Sequence, residues 1–169
     1  VDDGAIFCTV QGGQYLYTED QFDNFVLEID YKIEPDCNSG IFLRWGDLND
    51  PVQTGIEIQV LDTYAKEPPN CHDCGAIYDL VAPTKQTMKP AGEWNNHVIT
   101  CDDSIISVEL NGESIVEMDV DDWTEPGKNP DGTPNKFSTP LKDFPRKGHI
   151  GLQDHGGKVW YRNVRVKRL

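Results

Sequence analysis

The chain has 169 residues, with 29 acidic against 15 basic side chains, a net charge of −14 and a hydrophobic content of 37%. This length accommodates one domain with a real core, and the apolar residues fall in short alternating runs, which excludes a disordered chain. The charge excludes nucleic acid as a partner, since phosphate binding needs a positive surface that releases counterions. No apolar run is long enough for a membrane-spanning helix, so no membrane partner is expected.

The chain opens abruptly at Val1-Asp2-Asp3-Gly4, inside what reads as a strand-turn-strand unit, so a segment of a longer protein with additional domains is expected. Alternating or continuous β-type runs follow at Ala5 to Val10, Tyr15 to Thr18, Phe25 to Ile33, Gly40 to Trp45 and Ile56 to Asp62. In Phe25 to Ile33 the side chains of Phe25, Leu27, Ile29, Tyr31 and Ile33 share one face and Glu28, Asp30 and Lys32 the other, the signature of a half-buried strand. Thr63 to Pro90 is a long excursion. Strands are next expected at Asn96 to Cys101, Ile105 to Leu110 and Glu113 to Met118, the last two joined by Asn111-Gly112, a strong hairpin signal. Trp123 to Arg146 is rich in Pro, Gly, Asn and Lys and too long for an ordinary connection, which predicts a surface excursion near the working face. Two more strands, His149 to His155 and Val159 to Val166, close the chain. Many short strands with no amphipathic helix between them predict an all-β antiparallel sandwich or barrel.

The five cysteines are Cys8, Cys37, Cys71, Cys74 and Cys101. Cys71-His72-Asp73-Cys74 has the spacing of a zinc or redox half-site, but no second pair follows, and Pro68-Pro69 does not provide a thioredoxin-like strand-to-helix context. A loop-closing disulfide is the preferred role, which implies an oxidising, extracytoplasmic compartment, periplasmic or secreted.

Polar side chains interrupt several strands. Gln153 and His155 share a face, as do Glu57 and Gln59; Arg44 shares one with Phe42; and Arg162, in line with Trp160, Val164 and Val166, reads as an inward guanidinium in need of a partner or ligand. If these faces align, Arg44, Glu57, Gln59, Gln153, His155 and Arg162 line one sheet. Carboxylate, amide and guanidinium groups with an aromatic ring from Tyr78, Trp94 or Trp45 suit a sugar. Calcium is not indicated, because no Asp-x-Asp-type loop is present, and no metal or other cofactor is expected.

Asn38-Ser39-Gly40-Ile41-Phe42-Leu43-Arg44, Gly55-Ile56-Glu57-Ile58-Gln59-Val60-Leu61-Asp62, Gly75-Ala76-Ile77-Tyr78, Gly92-Glu93-Trp94-Asn95, Asn111-Gly112, and Gly148 to Gly156 running into Tyr161-Arg162-Asn163-Val164 occur in one order across nearly the whole chain. Jointly they resemble the 3-keto-disaccharide hydrolase family, formerly a domain of unknown function. The resemblance implies a two-sheet antiparallel jelly-roll sandwich of the concanavalin A-like or laminin G-like kind, formed by a single domain over residues 1–169 whose first strand precedes Val1. It also implies a small carbohydrate substrate, a glycoside oxidised to the ketone at C3. A C3 carbonyl acidifies the C2 proton, so base attack gives an enolate that expels the C1 substituent, and water then adds. On this reading His155 or Glu57 is the base, Arg44 stabilises the enolate oxygen, and Gln59, Asp62, Tyr78, Trp94, Gln153 and Arg162 contact the sugar. The rivals are a non-catalytic carbohydrate-binding module and a two-carboxylate glycosidase that pairs Glu57 with Asp62 or Glu109.

Overall fold

A computed structural model describes residues 4–7 and 12–169. Val1-Asp2-Asp3, the outer part of the first expected strand and Cys8 lie outside the described residues. The strands are β1 (Ile6–Phe7), β2 (Gln14–Tyr17), β3 (Phe25–Ile33), β4 (Asn38–Trp45), β5 (Ile56–Leu61), β6 (Asn95–Asp102), β7 (Ile105–Leu110), β8 (Glu113–Asp119), β9 (His149–Asp154) and β10 (Val159–Arg168). One turn of helix, α1 (Pro51–Thr54), precedes β5, its first turn capped by Asp50 accepting from the Gln53 amide.

The strands form two antiparallel sheets, ordered β1-β10-β3-β6-β7-β8 and β2-β9-β4-β5. Each expected strand is present among the described residues, β3 and β7 with the anticipated bounds. The inward face of β3 is wholly buried while its alternate residues are half-buried, as a period of two requires of a sheet covered on one side. Ile41 and Leu43 of β4 and Ile56, Ile58 and Val60 of β5 meet it across the sandwich in one apolar cluster. Between β7 and β8 both Asn111 (φ 55°) and Gly112 (φ 82°) are left-handed, as a type I′ turn demands.

Irregularities decide where the polar side chains go. The register of β10 against β3 shifts between Arg162 and Arg165, around a left-handed Asn163 (φ 52°). That of β4 against β9 shifts between Phe42 and Trp45, around a left-handed Arg44 (φ 49°). Such bulges re-aim side chains that strict alternation would place elsewhere.

Candidate functional site

The outer face of the four-stranded sheet carries a cavity of about 320 Å³ lined by Asn38, Val52, Glu57, Gln59, Tyr78, Asp79, Lys136, Gln153 and His155. Glu57 and Gln59 come from one face of β5, Asn38 from the start of β4, Gln153 from β9 and His155 from the turn after it. Gly40 pairs with Gln59 and leaves room for Glu57; a Cβ at Gly40 would collide with the Glu57 carboxylate.

Both excursions complete the wall. In the first, Gly75 to Tyr78 runs along β5. The amides of Gly75 and Tyr78 donate to the carbonyls of Gln59 (2.9 Å) and Glu57 (2.8 Å), and Gln59 donates to Ala76 (3.0 Å). Tyr78 is thereby fixed beside Glu57. The second excursion is anchored by buried Trp123, Phe137, Leu141 and Phe144 and delivers Lys136, whose amide donates to Asp79 Oδ2 (2.6 Å). The Lys136 ammonium stands 3.5 Å from Glu57 Oε2 and 4.7 Å from the centre of the Tyr78 ring.

Glu57 is only 7% exposed. Burial pushes its carboxyl above the usual carboxylate range, and the opposing pull of Lys136 and then of His155 does not cancel that cost. Around it, Asn38 Oδ1, Gln59 Oε1 and Gln153 Oε1 are buried without a hydrogen-bond partner. One such acceptor ordinarily costs about 1–3 kcal/mol. Three of them beside one carboxylate describe a site built to receive hydrogen-bond donors, as the hydroxyls of a sugar provide. Asp79, the other carboxylate on the cavity wall, already accepts from Lys136 N at Oδ2 and from His72 Nε2 at Oδ1 (3.0 Å).

The structure brings together Glu57, Gln59, Tyr78, Gln153 and His155 of the expected set. It sends five others elsewhere. Arg44 is buried, but its guanidinium donates to the carbonyls of Asp23 (2.9 Å) and Asp103 (2.7 Å) and to Asn24 Oδ1 (3.2 Å), clamping two turns of the sandwich away from the cavity. The bulge at its own backbone removes it from the face it was expected to share. Arg162 does lie on the same side as Trp160, but that side is the outer face of the six-stranded sheet. It reaches Asp30 Oδ2 (3.4 Å) and lies 3.8 Å over the Trp94 ring, while Val159 and Tyr161 take the inward positions. Trp94 is therefore on the opposite side of the molecule from Glu57. Asp62 caps a turn by accepting from the Asp36 amide (3.0 Å). Trp45 is buried, its Nε1 donating to the Asp47 carbonyl (2.6 Å).

The expected disulfide is also absent. Cys71 and Cys74 are thiols. Cys74 turns into the core, its Sγ 3.0 Å from the Tyr31 hydroxyl, whereas Cys71 stays at the surface beside His72. Two thiols in this loop carry no sign of an oxidising compartment. Sequence reasoning missed Asn38, Val52, Asp79 and Lys136. Asp79 directly follows the Gly75-Ala76-Ile77-Tyr78 segment and could have been read with it, but nothing in the composition of the second excursion distinguishes Lys136 from its other lysines.

The family model described as a 3-keto-alpha-glucoside-1,2-lyase-like domain matches residues 1–167. A curated protein of Bacteroides thetaiotaomicron named 3-keto-disaccharide hydrolase is 29% identical over 94% of this chain, which spans 62% of that protein's length. A crystal structure of a candidate glycosyl hydrolase from Parabacteroides distasonis is 34% identical, with a TM-score of 0.91 over 99% of this chain and 88% of that one. A Bacillus subtilis protein of galectin-like fold, 16% identical with a TM-score of 0.62 over 99% of this chain and 84% of that one, shares the jelly-roll architecture.

Proposed function

Because the chain belongs to the 3-keto-alpha-glucoside-1,2-lyase-like domain family, we propose that its Glu57 cavity binds a 3-keto-glycoside and cleaves it by removing the C2 proton. The observation that carries this reading is the buried Glu57 carboxyl, held above its ordinary pKa among three unpartnered amide oxygens and one ammonium. A carboxylate tuned toward neutrality is a competent base for a proton that an adjacent ketone has acidified.

The steps balance. Glu57 takes the proton from C2, and the C2–H electrons form the C2=C3 bond of an enolate whose negative oxygen faces the Lys136 ammonium. The C3 ketone then re-forms as those electrons become a C1=C2 bond and the C1–O bond breaks. The departing oxygen takes a proton, with His155 as the donor. Addition of water across C1=C2 converts the elimination product into the free 3-keto sugar. Gln59, Gln153 and Asn38 orient hydroxyls, and Tyr78 supplies the apolar wall. Lys136 thus replaces Arg44 in the role of enolate stabiliser, and Glu57 takes precedence over His155 as base. A two-carboxylate mechanism is less well served, because both oxygens of Asp79 are already engaged and Asp62 and Glu109 do not line the cavity.

The test is incubation with a 3-keto-disaccharide and its unoxidised parent in D2O. Sugar release and deuterium entry at C2 are expected from the oxidised substrate alone, and Glu57→Gln should lose both by about two to four orders of magnitude. Release from the unoxidised parent, or a Glu57→Gln enzyme of unaltered rate, would overturn the assignment.

A further inference from the structure

The Cys71-His72-Asp73-Cys74 segment has no part in the chemistry assigned to Glu57, yet it is closely organised. Cys71 Sγ lies 4.0 Å from His72 Nε2, and His72 Nε2 lies 3.0 Å from Asp79 Oδ1. All three donor atoms fall within 4.8 Å of one another. Cys71 and His72 are thus joined by a carboxylate, brought back by the turn through Gly75, while Cys74 faces the core.

The surrounding backbone holds the three residues in register. The Asp79 amide donates to the Cys71 carbonyl (2.9 Å), and the His72 amide donates to Asn70 Oδ1 (2.8 Å). The Asn70 amide donates to buried Asp73 Oδ2 (2.7 Å), and Lys66 holds the other oxygen of Asp73 (2.6 Å). Asp79 itself adopts a left-handed φ of 68°, a conformation that side-chain-bearing residues rarely take and that functional sites often retain. The His72 ring packs on Tyr78 with centroids 4.8 Å apart, so the cluster sits on the rim of the cavity.

We propose that Cys71 Sγ, His72 Nε2 and Asp79 Oδ1 form a site for a divalent transition metal of the zinc class. Thiolate, imidazole and carboxylate form a mixed, moderately soft donor set that suits zinc; calcium and magnesium require oxygen donors and are disfavoured. On binding, the Cys71 thiol proton passes to solvent, the neutral His72 ring gives up its Nε2 proton and carries one on Nδ1 instead, and three protein ligands leave a fourth tetrahedral position for water. Asp79 Oδ2 keeps its bond from the Lys136 amide. The metal therefore ties the first excursion to the second at the point where Lys136 enters the cavity. This site is independent of the reading given to Glu57.

Untagged protein stripped with chelator is titrated with Co2+ by absorbance and with Zn2+ by calorimetry. One Co2+ per chain is expected, with a thiolate-to-cobalt charge-transfer band that disappears in Cys71→Ser. His72→Ala should weaken Zn2+ more than about 100-fold, beyond the loss an outer-sphere partner causes. A spectrum without a thiolate band, or a Zn2+ affinity unaltered in both variants, would overturn the proposal. The wild-type chain gives a reading free of any folding defect in the variants: Zn2+ should protect Cys71 from alkylation, mapped by mass spectrometry, and an unchanged alkylation rate would likewise overturn it.

Discussion

Gly40 illustrates how one missing side chain shapes the site. The Glu57 carboxylate lies across β4 where a Cβ at position 40 would stand, and the obstructing atoms belong to the far end of a flexible side chain rather than to backbone. A Gly40→Ala chain should therefore fold with nearly wild-type stability, since Glu57 can swing aside, but its carboxylate leaves the place from which it faces Lys136. A fall in kcat of about tenfold or more is expected, with the denaturation midpoint nearly unmoved, because displacement of a reacting group by about 1 Å costs on that scale. Steady-state kinetics beside a chemical melt would check this; undiminished kcat would show that the position of Glu57 is not critical. The same scale explains what the sequence could and could not disclose. Strand alternation correctly grouped Glu57 with Gln59, and Trp160 with Arg162, but a period of two says which residues share a face and not which face is wet. Arg162 accordingly lies on the outer face beside Asp30 and Trp94, although its apolar neighbours suggest an inward position. Arg44 failed differently: its left-handed backbone breaks the alternation on which the expectation rested, and an arginine in a run of apolar residues carries no mark of that.

At the scale of elements, the strands were legible and the loops were not. Ten alternating runs and the Asn111-Gly112 turn place the sheets, since burial on one face writes itself into the sequence at a fixed period. The long excursions obey no period, yet they provide Tyr78, Asp79 and Lys136, three of the nine residues that line the cavity. Position in the second excursion is set by buried aromatic anchors, Trp123, Phe137 and Phe144, and by the Trp123 Nε1 bond to Asn129 Oδ1 (2.8 Å), so Lys136 is held rather than left to wander. Its charge opposes the burial penalty on Glu57. In Lys136→Met that opposition is lost and the Glu57 pKa should rise further. A base works in its ionised form, so the acidic limb of the kcat/KM profile should move to higher pH while the plateau drops for want of enolate stabilisation. A pH–rate series on the 3-keto substrate reads both effects, and an acidic limb that stays in place would detach Lys136 from Glu57.

At the scale of the whole molecule, the sandwich stores a titratable group with no solvent and no partner. His97 of β6 is fully buried between the sheets, stacked on Tyr31 with ring centroids 5.0 Å apart, and neither ring nitrogen has a hydrogen bond. Desolvation alone pushes its pKa down to about 3 from the ordinary 6.5. Above pH 6.5 the folded and unfolded chains both carry the neutral ring, and His97 has no effect on the pH dependence of stability. Below it the unfolded chain takes up a proton that the folded chain refuses until about pH 3, so stability falls with falling pH throughout that window, approaching about 1.4 kcal/mol per pH unit. Glu57 acts in the opposite sense. Its raised folded pKa means the native state protonates first, so acidification from that pKa down to the ordinary 4.5 adds stability. The His97 contribution favours unfolding in acid from about pH 6.5 down to about 3, with nothing nearby to offset the desolvation. His97→Phe keeps the ring against Tyr31 and removes the titration. Urea midpoints measured from pH 7 to 4 should decline less steeply in this variant than in the wild type, and comparing slopes cancels any constant packing difference. Parallel slopes would mean that the buried imidazole is not a source of the acid sensitivity.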